Sequence, residues 1–124
     1  MERKFDLDER LINFAAEIIT VSEILPNTIP GRHIAGQLVR SGTAPALHYG
    51  EAQGAESRKD FIHKLKIGLK ELRESFNCHR IIRKKKWYNE EKLNIILDEN
   101  NQLIAIFVKS IETARKNLGG AQHE

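Results

Sequence analysis

The stretch "SRKDFIHKLKIGLKELRESFNCHRIIRKKK", Ser57–Lys86, decides the fold. Ile62, Leu65, Leu69, Leu72 and Phe76 recur at spacings of three and four, which puts them along one stripe of an α-helix and close to a heptad seam. A second line on the same helix holds Lys59, His63, Lys66, Lys70, Arg73, Asn77, Arg80 and Lys84, so six of its eight positions are cationic. A third line, Ile67, Glu71, Glu74 and Cys78, is mixed. Ser57 is placed to cap the helix, with Asp60 three residues on as a Ser-x-x-Asp variant of the capping box. Lysines at the far end complement the helix dipole.

Working outward, Leu7, Leu11, Phe14, Ile18, Val21 and Leu25 trace another single stripe, ended by Pro26. After the connector "PNTIPG" a further helix starts near Arg32, turns Ile34 and Leu38 inward, and is expected to kink near Pro45, which lacks a backbone donor and crowds the preceding turn. The last helix starts after Asn89, a candidate N-cap, and turns Leu93, Leu97, Asn100, Ile104, Phe107 and Ile111 inward, with Ile96, Leu103 and Val108 widening the stripe. The pattern predicts an all-α fold: one up-and-down, antiparallel four-helix bundle spanning 1–118, with helices at about 6–25, 31–54, 57–86 and 89–118. Residues 119–124, "GGAQHE", are expected to form a flexible tail.

Composition narrows the function classes. With 124 residues, 40% hydrophobic and 30% charged, the chain suits one soluble helical domain and not a disordered one. The longest apolar runs, such as Leu103–Val108, fall far short of the ~20 residues a membrane span needs. The charged N-terminus lacks the layout of a signal peptide, and one cysteine, Cys78, cannot form an intrachain disulfide, so the cytoplasm is the expected location. The net charge of +3 is unevenly spread: residues 1–57 balance to −3 (5 basic, 8 acidic), 58–86 to +8 (11 against 3) and 87–124 to −2 (4 against 6). Such a cluster attracts polyanions without specifying a sequence.

No catalytic, metal or cofactor motif accompanies this pattern, and the chain is expected not to be an enzyme. No two histidines stand at i, i+4. No Glu precedes a histidine by three, since Pro45, Asp60 and Phe76 precede His48, His63 and His79. Cys78 and His79 are sequence neighbours on a helix and point about 100° apart, so they form no dyad; Cys78 is expected to be buried and structural. Glu51, among Ala52, Ala55 and glycines, is assigned to a structural ion pair that fixes helix register, with Arg40 as first partner and Glu71 joining them.

The segment 40–75 resembles the bacterial four helix bundle protein family, the intervening-sequence proteins of large-subunit ribosomal RNA. The matching residues are Arg40-Ser41-Gly42-Thr43, Glu51-Ala52-Gln53, Ala55, Ser57, Asp60 to Leu65, Leu69-Lys70-Glu71 and Arg73-Glu74. Ala44 and His48 depart from the Ser and Asn of many members. The resemblance implies a left-handed up-and-down bundle that assembles as a ring, commonly a homopentamer. It also implies kinship with the accessory variability protein of diversity-generating retroelements, which binds nucleic acid and works with a reverse transcriptase. Lys59, Lys66, Lys70, Arg73, Arg80 and Lys84, extended by Arg83, Lys85 and Lys86, would then hold RNA or DNA backbone, and Trp87 or Tyr88 could stack on an unpaired base. Two other readings stay open: a solvated face, or one that pairs with acidic helix-one residues of a neighbouring subunit. A ring that docks a protein partner, with no nucleic-acid role, is the competing function.

Overall fold

The computed structural model describes residues 6–123 and the side chains of residues 6–118. Four helices follow one another: α1 (Leu7–Ile24), α2 (Ile29–Gln53), α3 (Arg58–Lys85) and α4 (Glu90–His123). Each starts on a polar side chain that accepts from a backbone N–H three residues on. Asp6 bonds Glu9 N at 3.1 Å, Thr28 bonds Gly31 N at 3.1 Å, Ser57 bonds Asp60 N at 3.0 Å and Asn89 bonds Lys92 N at 2.8 Å. α2 begins three residues before the Arg32 expected from the sequence. Pro30 sits in its first turn, where a missing N–H costs no intrahelical bond. The helix is continuous through Pro45, which is buried. α4 runs through Gly119 and Gly120 to His123, past the stop expected at 118, since glycine weakens a helix by about 1 kcal/mol without ending it. Glu124, the end of the expected tail, lies outside the described residues.

α2 packs on α1 and on α3, α3 packs on α4, and α1 meets α4 only lightly. Cross-helix partners run in opposite order: Arg40 meets Glu71 and Glu51 meets Lys64, while Arg83 meets Asn94 and the Leu72 carbonyl meets Asn100. Neighbours α2/α3 and α3/α4 are therefore antiparallel, joined by four-residue connections. The six-residue stripe expected of α1 is wholly buried. On α3 the seam lies one position away from the largest side chains: Ile62, Leu65, Gly68, Leu72, Ser75, His79 and Ile82 are buried, while Leu69 and Phe76 are half-buried. Gly68 explains the offset. A Cβ there would stand 2.7 Å from Phe107 Cε2, so its bare backbone admits that ring to the centre of the bundle. Gly42 does the same for α1 and α2, where a Cβ would meet Ile18 Cγ2 at 2.5 Å.

Candidate nucleic-acid interface

Two sets of charged side chains diverge from α3. The first lies toward α2. Arg40 donates to Glu71 at 2.9 Å, also reaches Glu74, and is held from behind by Gln37 at 2.7 Å. Glu51 does not join this group: eleven residues along one helix separate it from Arg40 by about 16 Å. Its partner is Lys64 at 3.1 Å, with His48 at 3.5 Å, and Lys64 holds the exposed Glu51 carboxylate below its usual pKa. The register pair expected between Arg40 and Glu51 is therefore replaced by two separate clamps between α2 and α3.

The second set is the basic line. Lys59, Lys66, Lys70, Arg73, Arg80, Lys84, Lys85 and Lys86 are all exposed, and none forms an ion pair with a described residue. At 1.5 Å and 100° per residue, Lys59 to Lys84 is a straight row about 37 Å long within roughly one quarter to one third of the helix circumference. Its C-terminal end forms an open concavity of about 580 Å³ lined by Asn77, Arg80, Ile81, Arg83, Lys84 and Lys85. Arg80 is steadied by Asn77 at 3.2 Å and Arg83 by Asn94 at 3.2 Å. Lys86 closes the helix in the left-handed conformation, φ 57°, its N–H reaching the carbonyls of Ile82 and Arg83. A non-glycine residue is disfavoured there.

The two aromatic residues considered for base stacking are not free to serve the row. Trp87 and Tyr88 are half-buried against the core, and Tyr88 lines a separate cleft between α1 and α4, with Arg10, Phe14, Ile95 and Glu99. There Arg10 donates to Glu99 at 2.7 Å. Cys78 is buried, and burial and Glu74 push its thiol pKa up against the opposing pull of Ser41 and Arg40, so it is a packing residue.

Of the polar groups inside the bundle, the sequence placed Asn100 inward and missed Ser75 and His79. Ser75, His79 and Asn100 are wholly buried, His79 with its ring edge-on to Phe14 at 6.3 Å between centroids. Asn100 donates to the Leu72 carbonyl at 3.0 Å, yet both imidazole nitrogens, Ser75 Oγ and Asn100 Oδ1 lack a hydrogen-bond partner. Burial pushes the His79 pKa down to about 4, against the weaker upward pull of Asn100 and the Ser75 backbone. The spacing 72, 75, 79, 82 carried the signal, masked by the larger Leu69 and Phe76.

These features define an all-helical bundle protein with one long cationic face whose charges form no ion pair among the described residues. Within that class the chain belongs to the 23S rRNA-intervening sequence protein family, whose model matches residues 3–109. It is similar in structure to a protein of unknown function from the S23 ribosomal protein family of Bacteroides thetaiotaomicron VPI-5482. The TM-score is 0.80 at 26% identity, over 86% of this chain and 98% of that one. No curated protein matches the chain. Among the described residues no helix is long and apolar enough to cross a membrane.

Proposed function

We propose that this chain is a non-enzymatic nucleic-acid-binding or scaffold protein that holds RNA or DNA backbone along the exposed face of α3. The observation that carries the reading is a row of cations with no ion pair among the described residues. Lys66–Lys70, Lys70–Arg73, Arg80–Arg83 and Arg80–Lys84 are like-charge pairs at i+3 or i+4, each costing an exposed helix ~0.2–0.5 kcal/mol, roughly 1–2 kcal/mol together. A face serving only solubility gains nothing from that repulsion and would do better with alternating signs. A polyanion relieves it.

The test is binding of generic RNA and DNA across a salt series. Six phosphate contacts predict a slope of log K against log salt near −5 and an affinity loss of about a thousand-fold between 50 and 200 mM. Reversing Lys66, Lys70, Arg73 and Arg80 to Glu, all exposed and outside the core, should abolish retention while leaving the helical signal and melting transition intact. Retention unchanged by the reversal would sink the reading.

A second reading, self-association into a ring that docks a protein partner, is favoured by another observation. Ile12 and Ile19 on α1 and Ile95 on α4 are exposed, the last 70% so, and Ile95 borders the cleft where α1 and α4 barely meet. Solution mass tests it, a pentamer being the expected assembly; a monomer at working concentration would remove it.

A further inference from the structure

Resting on the nucleic-acid reading above, we infer that the ligand of this face is a duplex, held by its two phosphate backbones, and not an unpaired strand. Proteins that hold single strands pair a cationic groove with exposed aromatic rings, because each stacked base strengthens binding roughly ten-fold or more. Among the described residues this face offers no such platform. Phe61 and Phe76, on the same helix, are half-buried against the core, as are Trp87 and Tyr88 beyond its end, and Tyr88 is committed to the α1–α4 cleft. His63 is the only ring along the row itself, flanked by lysines. A strand laid here would leave its bases in water.

The shape of the face points the same way. α3 is 28 residues long and packed along its length by α2 and α4, so the backbone that carries the row of cations is straight and held in place. The row's span of about 37 Å is close to one turn of a duplex, about 34–36 Å. A duplex is stiff over far longer distances and presents one charge per ~1.7 Å of axis. Only the row's side chains then pay an ordering cost against a duplex, whereas a single strand would in addition have to be straightened with no stacking to offset the loss. The concavity at the end of the row is lined by cations, Asn77 and Ile81, chemistry suited to a phosphate ridge and not to a base edge.

The experiment is fluorescence anisotropy with the full chain at 50 mM monovalent salt. Four 20-nucleotide probes are compared: oligo-dT, oligo-U, a mixed-sequence DNA duplex and the RNA duplex of the same sequence. The expected result is at least ten-fold tighter binding of one or both duplexes than of either single strand, with Trp87→Leu leaving all four affinities within two-fold. The two duplex arms say whether DNA or RNA is the source. Single strands bound as tightly as both duplexes, or weakened more than five-fold by Trp87→Leu at unchanged melting temperature, would overturn the duplex inference and leave the basic-face reading standing. Absence of binding to all four probes would overturn that reading itself, and the duplex inference with it.

Discussion

Acid should loosen this bundle through one side chain, His79, before its carboxylates matter. The ring is fully buried between α1, α3 and α4, against Phe14 and near Ser75 and Asn100, with no partner for either nitrogen. No charged group figures among the causes of its shift, which are burial first, then Asn100 and Ser75 pulling the other way. In the unfolded chain it titrates near 6.5 and in the folded protein at about 4. Between those values the unfolded state binds the extra proton, so stability rises with pH across the window and is lost as pH falls through it. The limiting slope is about 1.4 kcal/mol per pH unit, giving a loss of roughly 1 kcal/mol at pH 5.5 and roughly 3 kcal/mol by pH 4. Against a total of ~5–15 kcal/mol for a domain this is a large fraction.

Urea unfolding from pH 7.5 to 4, on the native chain and on His79→Leu, isolates the effect. Carboxylate titration is common to both proteins, so the difference between their pH profiles belongs to His79. The native chain should lose stability from pH 6.5 downward while His79→Leu stays level to about pH 5. Parallel profiles, or a His79 ring signal in the folded protein that titrates near 6.5 by NMR, would refute the argument. The NMR arm also covers the case in which the variant fails to fold.

Three further outcomes follow from the same structure. Gly42→Ala should destabilise the bundle by about 1–2 kcal/mol in urea, overpacking against Ile18 outweighing the better helix propensity of alanine, and combining it with Ile18→Ala should cost less than the sum of the two single losses; a neutral Gly42→Ala variant would contradict the close approach of α1 and α2. Lys86→Gly should raise stability by about 0.5–1 kcal/mol by relieving the positive φ, while lowering the magnitude of the salt slope for nucleic-acid binding by about one. Arg40→Gln should cost about 1 kcal/mol or less, since the guanidinium is half exposed, and the cost should shrink in high salt.

On α1 the pattern made by large apolar side chains led to the right structure, whereas on α3 Leu69 and Phe76 drew it off the buried line. The α1 stripe from Leu7 to Leu25 is buried residue for residue, and Asn100 faces inward with the α4 stripe as its spacing required. Periodicity failed where burial depends on what is absent. Gly68 is inside because Phe107 needs its space, and that demand comes from a helix almost forty residues away. Ser75 and His79 follow Gly68 inward on the same line, although neither looks like a core residue. Ion pairing was half legible: Arg40 and Glu71 could be matched as residues of neighbouring helices, but Glu74 and Lys64 became partners only once the antiparallel register of α2 and α3 was set. The line of the cationic row needed no tertiary information, because spacing alone puts it on one face and exposure is what lysine and arginine prefer, but the removal of Glu71 and Glu74 toward α2 did.

The two halves of α3's charge are connected by α2. Glu71 and Glu74 are the carboxylates on α3 closest along the chain to the middle of the row, and at 100° per residue Glu74 lies only about 60° round from Lys59. Left unheld, Glu74 would stand at i+4 from Lys70 and could pair with it along the helix. Arg40 takes both carboxylates instead, from a different helix and on the flank away from the row. Glu51 likewise takes Lys64, the cation on α3 that points toward α2. Each clamp thus does two things at once. It fixes α2 against α3 through an ion pair, and it removes from the exposed face a charge that would either neutralise the row or stray from it. The positive surface is therefore a product of how the bundle packs, and its uniform sign along about 37 Å depends on contacts made by residues that no nucleic acid would touch.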